Sequence, residues 1–257
     1  MNILAIETSC DETAVAIVAD GTRVLSNVVS SQIDLHAAFG GVVPEVASRA
    51  HLENLETVTS EALTQAGVTP ADLHGVAATC GPGLIGALLI GVSAANAMAL
   101  AWDVPYVGVN HMEGHLLSPL ITQKVTYPYM GLIISGGHTE FIYVEKPGKY
   151  LKVSSTVDDA CGESLDKFGK QIGILYPAGP LIEKLAVEGN KKAYQFPLPK
   201  VKRDPLAMSF SGLKTSVMHV IASFSSEELV KEKNNLCASY QYALFRHVLV
   251  TAKKVIS

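Results

Sequence analysis

Basic residues are in short supply in this chain: lysine plus arginine total 20, against 24 for aspartate plus glutamate, in 257 residues. The resulting formal net charge of −4 excludes a protein that holds nucleic acid by bulk electrostatics, and leaves only a local basic patch for such a partner. Cysteine is sparse and scattered. Cys10, Cys80, Cys161 and Cys237 lie far apart with no C-x-x-C pair, which argues against a zinc ribbon or a disulfide framework and fits reduced thiols in a cytoplasmic protein. The opening MNILAIETSCDET has no basic n-region and meets a carboxylate at Glu7, so it does not read as a secretory signal. The one uncharged stretch long enough to suggest a membrane span runs from Gly81 to Trp102. It is rich in alanine and glycine, contains Ser93 and Asn96, opens with Gly-Pro-Gly and lacks flanking Lys or Arg, so it reads as a buried packing helix and no membrane partner is expected.

With 48% apolar and 17% charged residues, the chain is globular and large enough for one big domain or two medium ones. One pattern occurs twice. Ile3 to Val18 reads as strand, small-and-acidic turn (Thr8 to Thr13) and strand, and Met130 to Val144 repeats it around Ser135-Gly136-Gly137-His138-Thr139. After the first hairpin the patterning predicts a strand at Val24 to Ser30, a helix at Pro44 to Gly67, a strand at Val76 to Thr79, a helix at Leu84 to Trp102 and a strand at Pro105 to Val109. After the second hairpin it predicts helices at Glu163 to Ile172, Gly179 to Glu188, Ser211 to Phe224 and Glu227 to Lys254, with a polar, proline-spaced loop from Tyr194 to Pro205. The expected class is α/β with two similar lobes, 1–120 and 121–257. The first lobe follows its long helix with a strand, a glycine turn and another helix, whereas the second stops at Val255-Ile256-Ser257, so the second lobe is expected to be incomplete and the chain a shortened one.

Two motifs carry chemistry. In His111-Met112-Glu113-Gly114-His115 the imidazoles lie four residues apart, on one face of a helical turn, where both can ligate one cation. The turn Ser135-Gly136-Gly137-His138-Thr139 is built to let a phosphate approach backbone N–H groups. A metallopeptidase of the H-E-x-x-H kind needs its glutamate directly after the first histidine. Here it is Glu113, which at about 100° per residue points roughly 200° away from His111.

The segments ILAIETSCDETAVAIV, GGVVPEVASRAH (Gly40 to His51), CGPGLIGALLIG (Cys80 to Gly91), HMEGH, ISGGHTEF (Ile134 to Phe141), YPAGP (Tyr176 to Pro180) and SFSGLKT (Ser209 to Thr215) resemble, in order and spacing, the bacterial tRNA threonylcarbamoyladenosine transferase family, TsaD, formerly described as an O-sialoglycoprotein endopeptidase. The resemblance covers essentially the whole chain. It implies the duplicated actin, sugar-kinase and Hsp70-like fold, two lobes around a nucleotide cleft. Family members run past this chain's end, where a Gly-Gly-Val-x-Ala-Asn nucleotide loop and the aspartate completing the metal site follow.

The activity implied by the resemblance is transfer of a threonylcarbamoyl group from threonylcarbamoyl-adenylate to the exocyclic amine of the adenosine beside the anticodon, in tRNAs reading codons that begin with A. By the family pattern His111 and His115 bind one divalent metal, Fe(2+) first and Zn(2+) second. Ile133, Ile134, Ser135, Gly136 and Gly137 contact the adenylate, or ATP or ADP in the same cleft, and its metal. Asp166, Gly179 and Glu183 match positions at the nucleotide's ribose and base. Asp11 and Glu12 face the cleft in this fold and are the candidates for orienting the amine or accepting its proton. The implied partners are tRNA, a shorter paralogous subunit of the TsaB type and an ATPase of the TsaE type.

Blander readings stand beside these. Asp11 can serve only to tighten its turn. Gly81, Gly83, Gly86 and Gly91 read mainly as packing positions of a helix close to a sheet. Lys200, Lys202 and Arg203, near Tyr194 and Phe196, form a basic run able to touch tRNA phosphate or to be simply a solvated face. Lys214 offers a brace for the second lobe. The competing functions are an inactive nucleotide- or metal-binding interaction module of the same complex and, further off, a metallopeptidase, an ATPase or a sugar kinase; the histidine pair disfavours the last two.

Overall fold

Alternating apolar residues in NILAIE and ETAVAIVA form the antiparallel pair β1 (Asn2–Glu7) and β2 (Glu12–Ala19), and β2 pairs in turn with β3 (Arg23–Ser31). In the computed structural model, which describes residues 1–199, 201–202 and 204–257, these strands begin the first of two units, Met1–Val125 and Thr126–Ser257. The boundary at residue 120 read from the sequence falls inside the short helix α5 (Pro119–Thr122), and the division follows that helix.

The first unit continues through α1 (Ile33–Ala37), α2 (Pro44–Ala66), β4 (Gly75–Gly81), α3 (Ile85–Ala101), β5 (Tyr106–Asn110) and α4 (His111–Leu117). Pro44 opens α2 at a position whose N–H has no intrahelical partner, and Gly67 closes it with φ 66°, the left-handed conformation that favours glycine. The sheet order is β3-β2-β1-β4-β5, with β4 parallel to both β1 and β5. Leu4, Ile6, Val15, Ile17, Val76 and Ala78 alternate onto one face and pack against Leu55, Val58 and Ala62 of α2 and Ala95 and Ala99 of α3. The parallel register sets the carboxyl ends of β1, β4 and β5 side by side, where α/β sheets place their ligands.

Helix α3 is the packing helix expected of this stretch, buried along one face. Only the stripe Ala87, Gly91, Ala95 and Ala99 is buried, at four-residue spacing, while Ile85 and Leu100 are each 86% exposed. Small residues let this stripe lie close: a Cβ on Gly83 would fall 2.6 Å from the Ser9 carbonyl oxygen, and one on Gly91 would overlap the Thr8 hydroxyl. The packing reading of those two glycines follows directly. Among the described residues no helix is long and apolar enough to cross a membrane.

The second unit repeats the opening meander as β6 (Tyr129–Ile134), β7 (Thr139–Lys146) and β8 (Lys149–Ser155), all antiparallel. It continues through α6 (Cys161–Gln171), α7 (Gly179–Val187), α8 (Ser211–Ile221) and α9 (Ser226–Ile256). Its core centres on Phe168 stacked on Tyr240 at 4.1 Å between centroids, with Ile182, Phe210, Leu213, Leu236 and Leu244 around them. Strand β8 is absent from the sequence reading because Lys149 and Lys152 interrupt the apolar alternation of an edge strand. Among the described residues this sheet has three strands, with no counterparts of β4 and β5.

The segment SFSGLKT has a structural explanation. Asp158 Oδ1 accepts from the backbone N–H groups of Phe210 and Ser211, and its Oδ2 accepts from the hydroxyls of Ser209 and Ser211, so one carboxylate anchors the start of α8. These bonds outweigh the upward push of partial burial and hold the Asp158 carboxyl below its usual range.

Candidate functional site

Asn110 ends β5 and caps α4, its side chain accepting from the backbone N–H groups of Met112 at 2.9 Å and Glu113 at 3.2 Å. The helix thus starts at the carboxyl edge of the parallel strands and stacks His111 and His115 one turn apart. Their Nε2 atoms stand 3.1 Å from each other. Two imidazole nitrogens each about 2.1 Å from one cation lie roughly 3.0–3.4 Å apart, so the pair fits a shared metal. Among the described residues no group of three His, Cys, Asp or Glu side chains converges to hold a metal, so the pair supplies two of the donors a metal needs.

The other nitrogen of His111 turns inward. Nδ1 lies 3.2 Å from Ser9 Oγ and 3.3 Å from Glu7 Oε2. Glu7, the last residue of β1, accepts from the Ser9 backbone N–H through Oε1 and from the Thr79 hydroxyl through Oε2, each at 2.5 Å. Burial pushes the Glu7 carboxyl up, but the bonds to His111, Ser9 and Thr79 prevail and bring it down to about 2. The sequence reading missed Glu7; its signal was a carboxylate closing an otherwise apolar strand.

Asp11 and Glu12 sit where the β1–β2 turn enters β2, and several elements hold that turn. Leu84 N–H donates to the Ser9 carbonyl at 2.8 Å, the Thr8 hydroxyl to the Ala87 carbonyl at 2.9 Å, and Gln32 N–H to the Asp11 carbonyl at 3.0 Å. Beneath it lies a buried chain. His51 Nε2 donates to the Cys10 carbonyl at 3.0 Å, its Nδ1 accepts from the Thr13 hydroxyl at 2.8 Å, and Gln32 links it to His36, whose Nδ1 accepts from Val43 N–H. These are the tautomers the network allows. The GGVVPEVASRAH segment is therefore wired to the turn that carries the two candidate carboxylates. Desolvation, then the Asp11 and Glu7 carboxylates, push the Cys10 thiol up to about 12.

Replacing His51 with Leu will strand the Thr13 hydroxyl, the Gln32 amide and the Cys10 carbonyl, costing roughly 2–4 kcal/mol in urea unfolding. Burial, the largest influence, holds the His51 imidazole below its usual value, so the native form is neutral. The unfolded chain then binds the extra proton. Stability is fully present above about pH 6.5 and falls as pH drops through that value, a slope that His51→Leu will flatten.

In the second unit, the Ser135–Gly137 turn closes on itself, with Ser135 N–H donating to the His138 carbonyl at 2.8 Å and His138 N–H to Ser135 Oγ at 3.0 Å. The Cβ positions of Gly136 and Gly137 face open space. Helix α6 starts hard against this turn: Gly162 N–H donates to the Ser135 carbonyl at 3.1 Å, and Cys161 N–H to Thr139 Oγ1 at 2.8 Å. Ile134 is exposed at the turn's entrance while Ile133 is buried at 7%, which leaves Ile133 only its backbone for any ligand. Asp166, one helical turn beyond Gly162, accepts from Ala178 N–H at 2.8 Å and so ties the YPAGP segment to α6; burial raises its carboxyl. Its second oxygen keeps acceptor capacity. Gly179 opens α7, and Glu183 is exposed one turn along it.

The basic run fares unevenly. Lys200 and Arg203 lie outside the described residues, and Lys202 is exposed. Phe196, 9% exposed, belongs to the core edge-on to Tyr240, and the Tyr194 hydroxyl donates to Glu232 at 2.9 Å, so neither ring is set out as a stacking platform.

The sequence model of a family described as TsaD, tRNA N6-adenosine threonylcarbamoyltransferase, matches residues 23–257. A tRNA N6-adenosine threonylcarbamoyltransferase of Syntrophotalea carbinolica is 49% identical over 256 residues, covering 100% of this chain and 74% of the relative. One of Anaeromyxobacter dehalogenans is 51% identical over 251 residues, covering 97% of this chain and 75% of the relative. Among solved structures, component A of the Acidaminococcus fermentans (R)-2-hydroxyglutaryl-CoA dehydratase superposes with a TM-score of 0.54 at 12% identity, covering 99% of this chain and 79% of that one. The Clostridium difficile activator of 2-hydroxyisocaproyl-CoA dehydratase, solved with bound ADPNP, gives 0.52 at 12% identity, over 99% of this chain and 76% of that one. The fold is the duplicated actin, sugar-kinase and Hsp70-like one that the repeated hairpin pointed to. Matched by the family's model over all but its first strands, and about half identical to relatives along its full length, the chain belongs to the tRNA N6-adenosine threonylcarbamoyltransferase family.

Proposed function

We propose that this chain transfers the threonylcarbamoyl group of threonylcarbamoyl-adenylate to the exocyclic amine of the adenosine beside the anticodon in tRNA. The observation that carries the reading is the convergence of His111 and His115 Nε2 at 3.1 Å, in a chain about half identical to named transferases. The amine nitrogen attacks the carbamoyl carbon, the bond from that carbon to the bridging phosphate oxygen breaks, and AMP leaves with the electron pair. Asp11 or Glu12, on the braced hairpin turn, takes the proton released by the amine. The open Ser135–Gly137 turn and the start of α6 hold the phosphate, with Asp166 and Glu183 at the ribose. His111 and His115 would hold Fe(2+) or Zn(2+), which when bound would supply Lewis acidity toward the donor. A paralogous subunit of the TsaB type and an ATPase of the TsaE type complete the assembly.

The test is to incubate the chain with synthetic threonylcarbamoyl-adenylate, unmodified tRNA, the paralogous subunit and Fe(2+) or Zn(2+), then to digest the tRNA and quantify threonylcarbamoyladenosine by mass spectrometry. Multiple turnovers per chain are expected. Absence of the nucleoside above the level without the chain, with metal and tRNA both bound, would overturn the reading.

A further inference from the structure

We propose that Glu7 is a positioning residue for the metal histidine: with Ser9 it holds the proton of His111 on Nδ1 and turns the lone pair of Nε2 toward the cation. This inference rests on the reading of His111 and His115 as metal ligands.

The carboxylate is fixed before His111 is considered. One oxygen is held by the Ser9 backbone N–H and the other by the Thr79 hydroxyl, both at 2.5 Å, the first from its own turn and the second from the neighbouring parallel strand. A carboxylate without a proton can only accept, so the His111 nitrogen facing Glu7 Oε2 must carry the hydrogen. The distances from Nδ1, 3.2 Å to Ser9 Oγ and 3.3 Å to Glu7 Oε2, suit one N–H shared between two acceptors. With Nδ1 protonated, Nε2 carries the lone pair, and Nε2 is the atom that meets His115. What a carboxylate adds is a fixed tautomer, a fixed ring and a more basic ligand nitrogen, the usual service of an outer carboxylate to a metal-bound imidazole.

The probes are Zn(2+) and Co(2+), titrated into the metal-stripped chain against a chelating dye, together with 15N spectra of the histidine side chains at neutral pH. For Glu7→Gln the expected result is metal affinity weakened roughly 10–100-fold and loss of the Nδ1–H signature of His111, with the melting temperature close to that of the parent. Thr79→Ser, which keeps the hydroxyl donor, is expected to retain both. Unchanged Zn(2+) affinity in Glu7→Gln, while His111→Ala abolishes binding, overturns the role of Glu7 and leaves the metal reading standing. A parent chain that binds no metal, or binds it equally after His111→Ala, overturns the metal reading and this inference with it. The tautomer in the unsubstituted chain decides even if Glu7→Gln does not fold: an Nε2–H signature for His111 refutes the proposal.

Discussion

His111→Ala and His115→Ala will each purify without stoichiometric metal and transfer threonylcarbamoyl at least 100-fold more slowly than the parent chain. The size follows from the donor count. Two imidazoles are the protein ligands that the described residues bring together, so removing either leaves a single nitrogen, which cannot hold a divalent ion at ordinary concentrations. A Lewis acid at the donor is worth several kcal/mol of charge stabilisation in the transition state, and each 1.4 kcal/mol or so is a factor of ten in rate. The fold will survive both changes. His115 is exposed and His111 half-buried, α4 is started by Asn110, and neither imidazole belongs to the core of the first unit. Metal content by mass spectrometry, melting temperature and modified nucleoside should be measured on the same preparations. A variant that keeps both metal and rate sinks the assignment; one that loses rate but keeps metal moves the histidines from ligation to substrate contact.

How far a sequence exposes such a site depends on whether its parts are local. The helix α2 was legible because its signals lie within it, Pro44 at the start and Gly67 just past the end. So was the HMEGH face, since i and i+4 meet on any helix. Glu7 was not: it meets His111 across 104 residues, and Thr79 through the parallel pairing of β1 with β4, which no window of sequence contains. The same distance hid the link from Asp158 to Ser209 and Ser211, which makes the SFSGLKT segment the anchored start of a helix. Asp166 illustrates the middle case. Its place in the family pattern marked it as a nucleotide contact, yet its visible bond is to Ala178 N–H, a structural duty that leaves one oxygen to be tested for the other.

Gly162→Ala will weaken adenine-nucleotide binding at least tenfold, by displacing the turn proposed to hold the phosphate. The residue is the second of α6, and its conformation is helical, so alanine brings an intrinsic helix preference of about 1 kcal/mol in its favour. What opposes it is space. A Cβ there would stand 2.7 Å from the Ser135 carbonyl oxygen and 2.9 Å from Gly136 N and Cα, all backbone atoms that cannot rotate away. Either α6 tilts, breaking the Gly162 N–H bond to Ser135, or the turn shifts by several tenths of an ångström and its N–H groups lose their aim. Gly212→Ala is the matched control, because its new methyl would meet only Pro199 Cγ at 3.8 Å, an ordinary contact at the start of another helix. Calorimetric titration of ADP into the two variants should separate them, with Gly212→Ala binding as the parent does. Equal affinity in Gly162→Ala, with its fold intact by melting, would show that the phosphate does not sit on the Ser135–Gly137 turn. Because that turn and the histidine pair belong to different units, the outcome leaves the metal assignment untouched and bears on the nucleotide half of the proposed reaction alone.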